Sequence, residues 1–446
     1  MNVSRSNGFL WLVLPAMLAL VAFGTLVSGR DLSQTYIELA NDTAGVRGPI
    51  IVWAQRLLSV LLIAASLERI VSHVALHKHL PSPTLTSVFV LYWLCTVAAP
   101  AVFGSHPQLG HEYAYSLLLG FAVLLASSVE ADRMLVAART ALVAFVFAGL
   151  ALIPVLPAMV LDQLYSQGLF AGLPRFGGLA AHPVAMGMFA QTMLLMVWAL
   201  PFDRRWLNVL AWIAGLAALF MAQSKTAWIA FIVCSIAMFL VRSGSSLWQR
   251  ITDPRSDGSL GIVVCLGAMT LVGAALGLVL VTDLGSQLQD FADTSQGAQL
   301  MSMTGRDRIW SIALEEWHSN VLFGYGPGLW DTDFRTSIGM ANATDAHNQF
   351  MDTLARAGTV GAVGLVTYAG VLLAMSLRYA KATGGLSIAL FLALALRSIS
   401  EVPLLLFGYG GELFIHLLLL VTLAAAASAR TQAQEEPGTY AYRTAS

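Results

Sequence analysis

Long apolar runs recur from one end of the chain to the other, separated by short polar segments. A helix needs roughly 20 mostly apolar residues to cross a bilayer, so each long run is a candidate transmembrane span. Twelve such runs are present, at 9–27, 49–67, 85–103, 114–129, 137–156, 180–200, 207–222, 226–241, 260–281, 358–376, 386–407 and 412–428. The pattern predicts an all-α, polytopic membrane protein with about 12 transmembrane helices.

The polar segments divide this helical array into parts. Nine helices are predicted within 1–281 and three within 358–428, and a polar tail at 429–446 is predicted to be disordered. The segment 282–357 between them is far longer than an ordinary connection, and loops of that length are usually functional. Apolar residues at helical spacing, with Thr304 and Asp307 as a candidate capping box, predict that this loop is mainly helical. The first apolar run exceeds the roughly 7–15 residues of a signal-peptide core, so a retained helix is expected.

Composition supports the membrane assignment and excludes several classes of protein. Hydrophobic residues make up 57% of the chain and charged residues only 11%, whereas soluble proteins carry about 25% charged residues. These values exclude an ordinary soluble enzyme, a disordered protein and a nucleic-acid-binding protein. The three cysteines, Cys95, Cys234 and Cys265, lie inside apolar runs, which indicates packing residues rather than disulfides or a metal site.

The few positive charges predict how the chain is oriented. Lys and Arg are enriched in cytoplasmic loops of membrane proteins. With the N-terminus inside, the short inner loops and termini hold Arg5, Arg69, Lys78, Arg133, Arg139, Arg204, Arg205, Arg242, Arg250, Arg255, Arg378, Lys381, Arg430 and Arg443. The short outer loops hold only Arg30, Arg47, Arg175 and Lys225. We therefore expect both termini in the cytoplasm and the 282–357 loop outside.

Several of the exceptions to this rule are candidate functional residues. Arg175, Lys225 and Arg306 would give three cations on the outer face, and His347 lies just before the tenth span. Clustered cations suit a diphosphate, and a histidine titrating near neutral pH suits proton abstraction from a hydroxyl. Lipid-headgroup contact explains either Arg175 or Lys225 alone. Asp345 is equally suited to orienting His347 and to capping the following helix.

The motifs of this outer face resemble those of a known family. Gly305-Arg306 with Ile309-Trp310, then Gly324 to Gly328, then Ala346-His347-Asn348 running into Gly358 to Gly361, are similar to the signature of the O-antigen ligase and polymerase superfamily. The turn Ser224 to Ala227 adds to the resemblance. It is closest to the exopolysaccharide-polymerase branch, because Lys225 stands where many ligases carry arginine. The first 170 residues carry no matching motif.

The resemblance implies a metal-independent, inverting glycosyltransferase of the bacterial inner membrane with a periplasmic active site and no cofactor. Its donor would be a glycan on undecaprenyl pyrophosphate, and its acceptor a sugar hydroxyl on a growing glycan or on lipid A-core. It implies that His347 is the general base and that Arg306, Lys225 and Arg175 bind the donor pyrophosphate. Asp345, Asn348 and Arg56 are candidate supporting residues. A flippase and a chain-length regulator are candidate partners.

Two alternatives stay open beside polymerisation of repeat units. A ligase would move finished glycan onto lipid A-core with the same donor chemistry. A 12-span transporter or flippase is less consistent with the sequence, because its two halves do not resemble each other. Arg397 and Glu401, four residues apart in the eleventh run, are predicted to form an intramembrane ion pair. His182 is interpreted as a polar residue at the start of a helix.

Overall fold

The computed structural model describes residues 9–34, 49–76, 80–164, 173–252, 306–340, 343–408 and 410–435. In these residues the protein is a bundle of α-helices with a single antiparallel pair of two-residue strands. The helices are α1 Val13–Ser28, α2 Pro49–Ala75, α3 Pro83–Phe103, α4 Glu112–Leu124, α5 Ser128–Ala151, α6 Pro183–Ala199, α7 Arg205–Met221, α8 Lys225–Thr252, α9 Arg306–Ser319, α10 Thr332–Ser337, α11 Gln349–Arg378, α12 Leu386–Arg397 and α13 Gly411–Glu435. The strands are β1 Leu161–Asp162 and β2 Arg175–Phe176.

These helices confirm the predicted all-α membrane class. Eleven of the twelve apolar runs coincide with a helix, and the ninth run, 260–281, lies outside the described residues. Seven described helices are long and apolar enough to cross a membrane, and α4, α6, α7 and α12 are shorter apolar helices. A spanning segment must satisfy its backbone polar groups internally, which explains why the eleven described runs are helical.

Helix α13 lies at the centre of the bundle. In its apolar 18-residue stretch 83% of the residues are buried, compared with 22% in the corresponding stretch of α8 at the periphery. Its side chains pack mainly against α5, α4 and α12. The stretch from Leu417 to Val421 is apolar at every position, which agrees with its burial on all sides.

Arginines secure the end of the bundle at which α5, α7 and α12 begin. Arg69 forms a buried ion pair with Glu130, with the closest N–O distance 2.7 Å. Arg139 donates to the carbonyl of Leu200, and Arg242 donates to that of Gly384. The last carbonyls of a helix lack partners within the helix, and at the end of α6 Arg139 bonds to that of Leu200 and Arg242 to that of Trp198. They belong to the set of cations that the sequence assigned to the cytoplasmic side.

Two predicted boundaries need correction. Helix α13 continues to Glu435, so the start of the segment predicted as a disordered tail is helical, and 436–446 lies outside the described residues. Alanine-rich sequence before Arg430 has high helix propensity and carries the helix onward. Helix α11 begins at Gln349, before the predicted span, and is kinked at Gly358. The predicted capping residue Thr304 lies outside the described residues.

Candidate functional site

His347 occupies a tightly held turn immediately before α11. Its φ of +46° lies in the left-handed region, which is uncommon for a residue other than glycine. The Asp345 Oδ1 atom accepts a hydrogen bond from the His347 backbone N–H at 2.7 Å. Asn348 is the N-cap of α11, with its Oδ1 accepting from the N–H groups of Phe350 and Met351. Capping is therefore done by Asn348, and Asp345 orients His347.

The turn that carries His347 packs against the loop that follows α12. The Gln349 backbone N–H donates to the Ser398 carbonyl at 2.9 Å, and Asn348 Nδ2 donates to the Ile399 carbonyl at 3.2 Å. Gln349 Oε1 in turn accepts from the Leu404 N–H at 2.7 Å. These bonds hold the 398–404 segment on both sides of Glu401 and fix that carboxylate beside His347.

Asp345, His347 and Glu401 form a compact cluster. His347 Nδ1 lies 3.3 Å from Asp345 Oδ1 and 3.6 Å from Glu401 Oε2. Nδ1 has no hydrogen-bond partner of good geometry among the described residues, so these attractions are mainly electrostatic. The Glu401 carboxylate, reinforced by Asp345, raises the pKa of His347 against the opposing effects of burial and Arg306. The imidazolium form is thus stabilised by two carboxylates.

The two carboxylates in this cluster have different electrostatic environments. Burial raises the pKa of Asp345, and the nearby His347 offsets only part of that effect. Burial alone would also raise the pKa of Glu401, but His347 and Arg397 outweigh it and hold the value below its ordinary range. Glu401 is therefore the carboxylate better suited to remain charged beside a protonated His347.

The predicted ion pair between Arg397 and Glu401 is wrong. Arg397 instead forms short hydrogen bonds through Nε and Nη2 to the carboxylate of Glu412, at the start of α13. The Glu401 N–H still donates to the Arg397 carbonyl at 2.8 Å, but the Arg397 guanidinium bonds to Glu412 and not to the Glu401 carboxylate. The sequence predicted a structural role for Glu401, whereas the structure places its carboxylate next to His347.

The predicted cations lie at the same end of the bundle as His347. Arg306 is the first residue of α9, and its Nη2 donates to the Ser400 carbonyl at 3.3 Å, next to Glu401. Lys225 is the first residue of α8 and is exposed. Arg175, in β2, is buried and its Nε donates to the Ala222 carbonyl at 2.9 Å, which ties it to the turn before Lys225.

A small cavity of about 10 Å³ separates the start of α8 from the end of α12. Thr226, next to Lys225, lines this cavity together with Gln191 and Arg397. Arg397 also acts electrostatically on Glu401. Arg306 and Arg397 are thus the basic residues that act directly on the histidine cluster, and Arg175 and Lys225 lie together near the start of α8.

Two other predicted residues have simpler roles. Arg56 is exposed on α2, and the contact described for it is with the ring of Trp53, 5.2 Å away, on the same helix. The structure therefore does not bring Arg56 to the cluster. His182 is the N-cap of α6, accepting through Nδ1 from the Val184 N–H at 3.0 Å, as its interpretation required. Burial lowers the pKa of His182 to about 4, so it is neutral near pH 7.

The Gly-rich turn at 324–328 is packed against the kink of α11. Tyr325 and Gly326 donate their N–H groups to the carbonyls of Ala355 and Arg356, each at 2.9 Å. A Cβ at Gly324 would lie 2.5 Å from the Ala355 carbonyl oxygen, and one at Gly358 would lie 2.3 Å from the carbonyl carbon of Leu322. The glycines therefore permit close backbone approach, and the turn is a fixed connection rather than a flexible one.

This close packing gives a prediction about stability. Gly358→Ala should destabilise the protein by about 2–6 kcal/mol, because it places a side chain in a backbone region essentially restricted to glycine, at about 1–3 kcal/mol, and adds overpacking of about 1–3 kcal/mol. Gly370→Ala is the matched control on the same helix, since a Cβ there meets nothing within 4 Å. Thermal unfolding in detergent measures both. Equal melting temperatures for the two variants would contradict the proposed packing.

A buried network behind the cluster was not identified from the sequence. Arg356 donates to Asp352 Oδ2 at 2.8 Å and to the Pro327 carbonyl at 2.6 Å. Asp352 Oδ1 accepts from the Ala346 N–H at 3.1 Å, directly before His347. The spacing of Asp352 and Arg356, four residues apart on a helix, is the sequence signal that predicts such a pair. The network connects the Gly-rich turn to the histidine turn.

The carboxylates and the histidine are also close enough to share one cation. One ligand atom from each of Asp345, His347 and Glu401 lies within 4.8 Å of the other two. This cluster is not visible in the sequence, because Glu401 is distant in the chain and joins the other two residues only in the fold. Arg306 and Arg397 act on Glu401 as well, so positive charge is already supplied by the protein.

Residues 209–366 match the family model described as O-antigen ligase. The matched stretch contains Lys225, Arg306, Asp345 and His347, and it confirms the predicted resemblance to the O-antigen ligase superfamily. No individual curated protein matches the chain.

Proposed function

From the O-antigen ligase family domain at residues 209–366, which supports a membrane enzyme of the ligase or polymerase type, we propose a specific reaction. The protein transfers glycan from an undecaprenyl-pyrophosphate donor to an acceptor sugar hydroxyl and polymerises exopolysaccharide or O-antigen repeat units. The observation that carries this proposal is the position of His347 beside Asp345 and Glu401, with Arg306 bonded to the carbonyl of Ser400 next to Glu401.

The proposed mechanism is a single displacement. The acceptor oxygen attacks the anomeric carbon while the bond from that carbon to the pyrophosphate oxygen breaks, and the configuration inverts. His347 takes the hydroxyl proton as general base, and the two neighbouring carboxylates stabilise the resulting imidazolium. The bonding pair leaves on the pyrophosphate, whose growing charge is stabilised by Arg306, Lys225 and Arg175. No external energy source is needed, because the donor is already activated.

The location of the enzyme is part of the proposal. The loop charges support an inner-membrane protein with both termini in the cytoplasm and the His347 end of the bundle in the periplasm. In that orientation α9 and α10 meet the periplasm, where a lipid-linked donor delivered by a flippase becomes available. A cysteine at Ser337 should react with an impermeant reagent from outside, whereas one at Ala382, exposed in the connection between α11 and α12, should not.

Ligation of finished glycan to lipid A-core is the second candidate, favoured by the match to the O-antigen ligase family model. Lys225 favours polymerisation, because it stands where many ligases carry arginine. A lysine binds phosphate as a point charge and lacks the bidentate hold of an arginine. Deleting the gene and sizing surface glycans separates the two. Loss of long chains with single repeats retained supports polymerisation, and untethered full-length glycan supports ligation. Unchanged surface glycans would contradict both.

The reaction is expected to proceed without a metal ion. The guanidinium groups of Arg306 and Arg397 already act on the Glu401 carboxylate, and Asp345 already accepts a backbone hydrogen bond. Treating the purified enzyme with EDTA should therefore leave its rate within about twofold of the untreated rate, a change of under 0.5 kcal/mol in the barrier. A large loss that Mg²⁺, Mn²⁺ or Ca²⁺ restores would contradict this prediction and make the Asp345–His347–Glu401 cluster a metal site.

Glu401→Gln should change the pH dependence of the reaction. A general base acts in its neutral form, so activity falls as pH drops through the pKa of His347. Because Glu401 raises that pKa, its removal should move the acid limb of kcat/KM to lower pH and also reduce the plateau. Glu315→Gln, on the exposed side of α9, is the control and should leave the profile unchanged. An unshifted acid limb in Glu401→Gln would show that the carboxylate does not act on His347.

A further inference from the structure

A cavity of about 290 Å³ opens beside the histidine cluster, between the α3–α4 connection and the Gly-rich turn. Its polar lining comes from Gln108, Glu112, Asp331 and Thr344, and aromatic rings of Tyr113 and Trp330 complete the wall. The volume is near the lower end of the range for small-molecule sites, roughly 300–1,000 Å³. None of these lining residues belongs to the proposed donor site.

We propose that this cavity binds the acceptor glycan, an inference that rests on the proposed glycosyl transfer. Carboxylates and a primary amide supply acceptors and donors for sugar hydroxyls, and aromatic rings supply flat apolar surface for the C–H faces of a sugar. A pyrophosphate is poorly suited to the cavity because Glu112 and Asp331 are acidic. The one cation in the lining, Arg356, is already bound to Asp352 and to the Pro327 carbonyl.

The shape of the cavity depends on Gly328. A Cβ at this position would lie 3.4 Å from Gln108 Oε1 and 3.8 Å from Asp331 Oδ2, so the glycine leaves open space between two polar groups. Asp331 uses its Oδ1 to cap α10 by accepting from the Phe334 N–H at 2.8 Å. Its Oδ2 is the atom that faces Gly328, and it is available to a hydroxyl.

Trp330 provides a second observation that indicates a ligand at this wall of the cavity. Its φ is +70°, a left-handed conformation that is strained for a bulky residue. The residue is 4% exposed, and its indole Nε1–H has no hydrogen-bond partner in the part of the chain that the structure describes. A buried N–H without a partner costs about 1–3 kcal/mol, so a bound hydroxyl that reached it would recover part of that cost.

The cavity is connected to the proposed base by two sets of contacts. Thr344, on its rim, donates a long hydrogen bond of 3.4 Å to Asp345 Oδ2. Arg356, in its lining, bonds to Asp352, which holds the Ala346 N–H next to His347. An acceptor sugar in the cavity would therefore lie beside the histidine, while the basic residues that suit a pyrophosphate are Arg306, Lys225 and Arg175.

Gly328→Leu is the most direct test, because it fills the cavity without changing a charge. The probe is the free repeat-unit oligosaccharide, released by mild acid from the producing strain's lipid-linked pool. It lacks lipid and pyrophosphate. Binding to the purified full-length protein in nanodiscs is measured by saturation-transfer NMR and by titration. We expect Gly328→Leu to weaken binding at least about tenfold, and Gly370→Leu, which faces open space, to leave it unchanged.

Asp331→Asn provides a variant that should fold normally, since asparagine caps a helix as well as aspartate does. It should weaken oligosaccharide binding several-fold while retention of the intact lipid-linked donor stays as in the wild type. Oligosaccharide binding that is unchanged in both Gly328→Leu and Asp331→Asn would overturn the proposal. So would loss of that binding in Lys225→Ala, which would place the free sugar in the donor site.

The cavity and the catalytic proposal fail in distinguishable ways. If His347→Asn keeps full glycan output, the proposed reaction fails whatever the oligosaccharide does. If His347→Asn abolishes output while Gly328→Leu binds the oligosaccharide normally and makes full-length product, the reaction stands and the acceptor site is elsewhere.

Discussion

His347→Asn is expected to abolish glycan product while the protein reaches the membrane at its normal level. General-base catalysis contributes about 10²–10⁴-fold to a rate, and in a polymerisation that loss at every step removes long chains altogether. Product is measured by sizing surface glycans in a complemented deletion strain and by turnover of the purified enzyme. Full-length polymer from this variant would contradict the assignment of His347 as the base.

Asparagine is the informative substitution because of the backbone at this position. His347 has a φ of +46°, and asparagine tolerates the left-handed region better than alanine does. His347→Ala removes the same imidazole but adds strain to the turn, so agreement between the two variants assigns the effect to the side chain. His318→Asn is the control. It lies on the exposed side of α9 and its Nδ1 is 2.7 Å from the Leu314 carbonyl, on its own helix.

Arg306→Ala is the second substitution with a large expected effect. Removing one preorganised group that stabilises transition-state charge costs about 10²–10³ in rate, and we expect a loss of that order. Lys225→Ala should behave similarly, whereas Lys225→Arg should keep much of the activity because the charge is retained. Arg308→Ala is the matched control, since Arg308 lies two residues further along α9 and donates to the Ile338 carbonyl instead.

If these cations bind the pyrophosphate, the variants should also show a particular pattern of kinetic change. The cations should matter most as the leaving group departs, so kcat should fall by more than the KM for the donor rises. Normal polymerisation in vitro by both Arg306→Ala and Lys225→Ala would show that the donor is held elsewhere. A loss in Arg308→Ala equal to that in Arg306→Ala would indicate a general disturbance of α9.

The fold was predictable in outline because the bilayer leaves few choices. An apolar stretch of sufficient length must become a helix when no water is present to satisfy its backbone, so position along the chain translates directly into structure. That reasoning located α1 to α8 and α11 to α13 without any knowledge of their packing. It located their ends less well, since helix boundaries depend on caps and local contacts, as α12 and α13 illustrate.

The candidate site was predictable only where its chemistry is local in sequence. Asp345, His347 and Asn348 are consecutive or nearly so, and their residue types indicated a held histidine. Glu401 is separated from His347 by the whole of α11 and α12, and its position depends on backbone hydrogen bonds between the histidine turn and the 398–404 loop. The spacing of polar and apolar residues along the sequence does not predict a contact between such distant residues. The acceptor cavity is hidden for the same reason, because Gln108 and Asp331 come from distant segments.

The kink at Gly358 also divides α11 into a long segment that can span the bilayer and a short segment that leads to His347. From Thr359 to Arg378 the helix rises by roughly 30 Å at 1.5 Å per residue, which matches the hydrocarbon thickness of a bilayer. The part of α11 before the kink, from Gln349 to Ala357, adds at most about 14 Å at the same rise. The start of α11, next to His347, therefore lies within about 14 Å of the kink. A carrier lipid could present its phosphates there with its tail still in the membrane, while sugars extend into water.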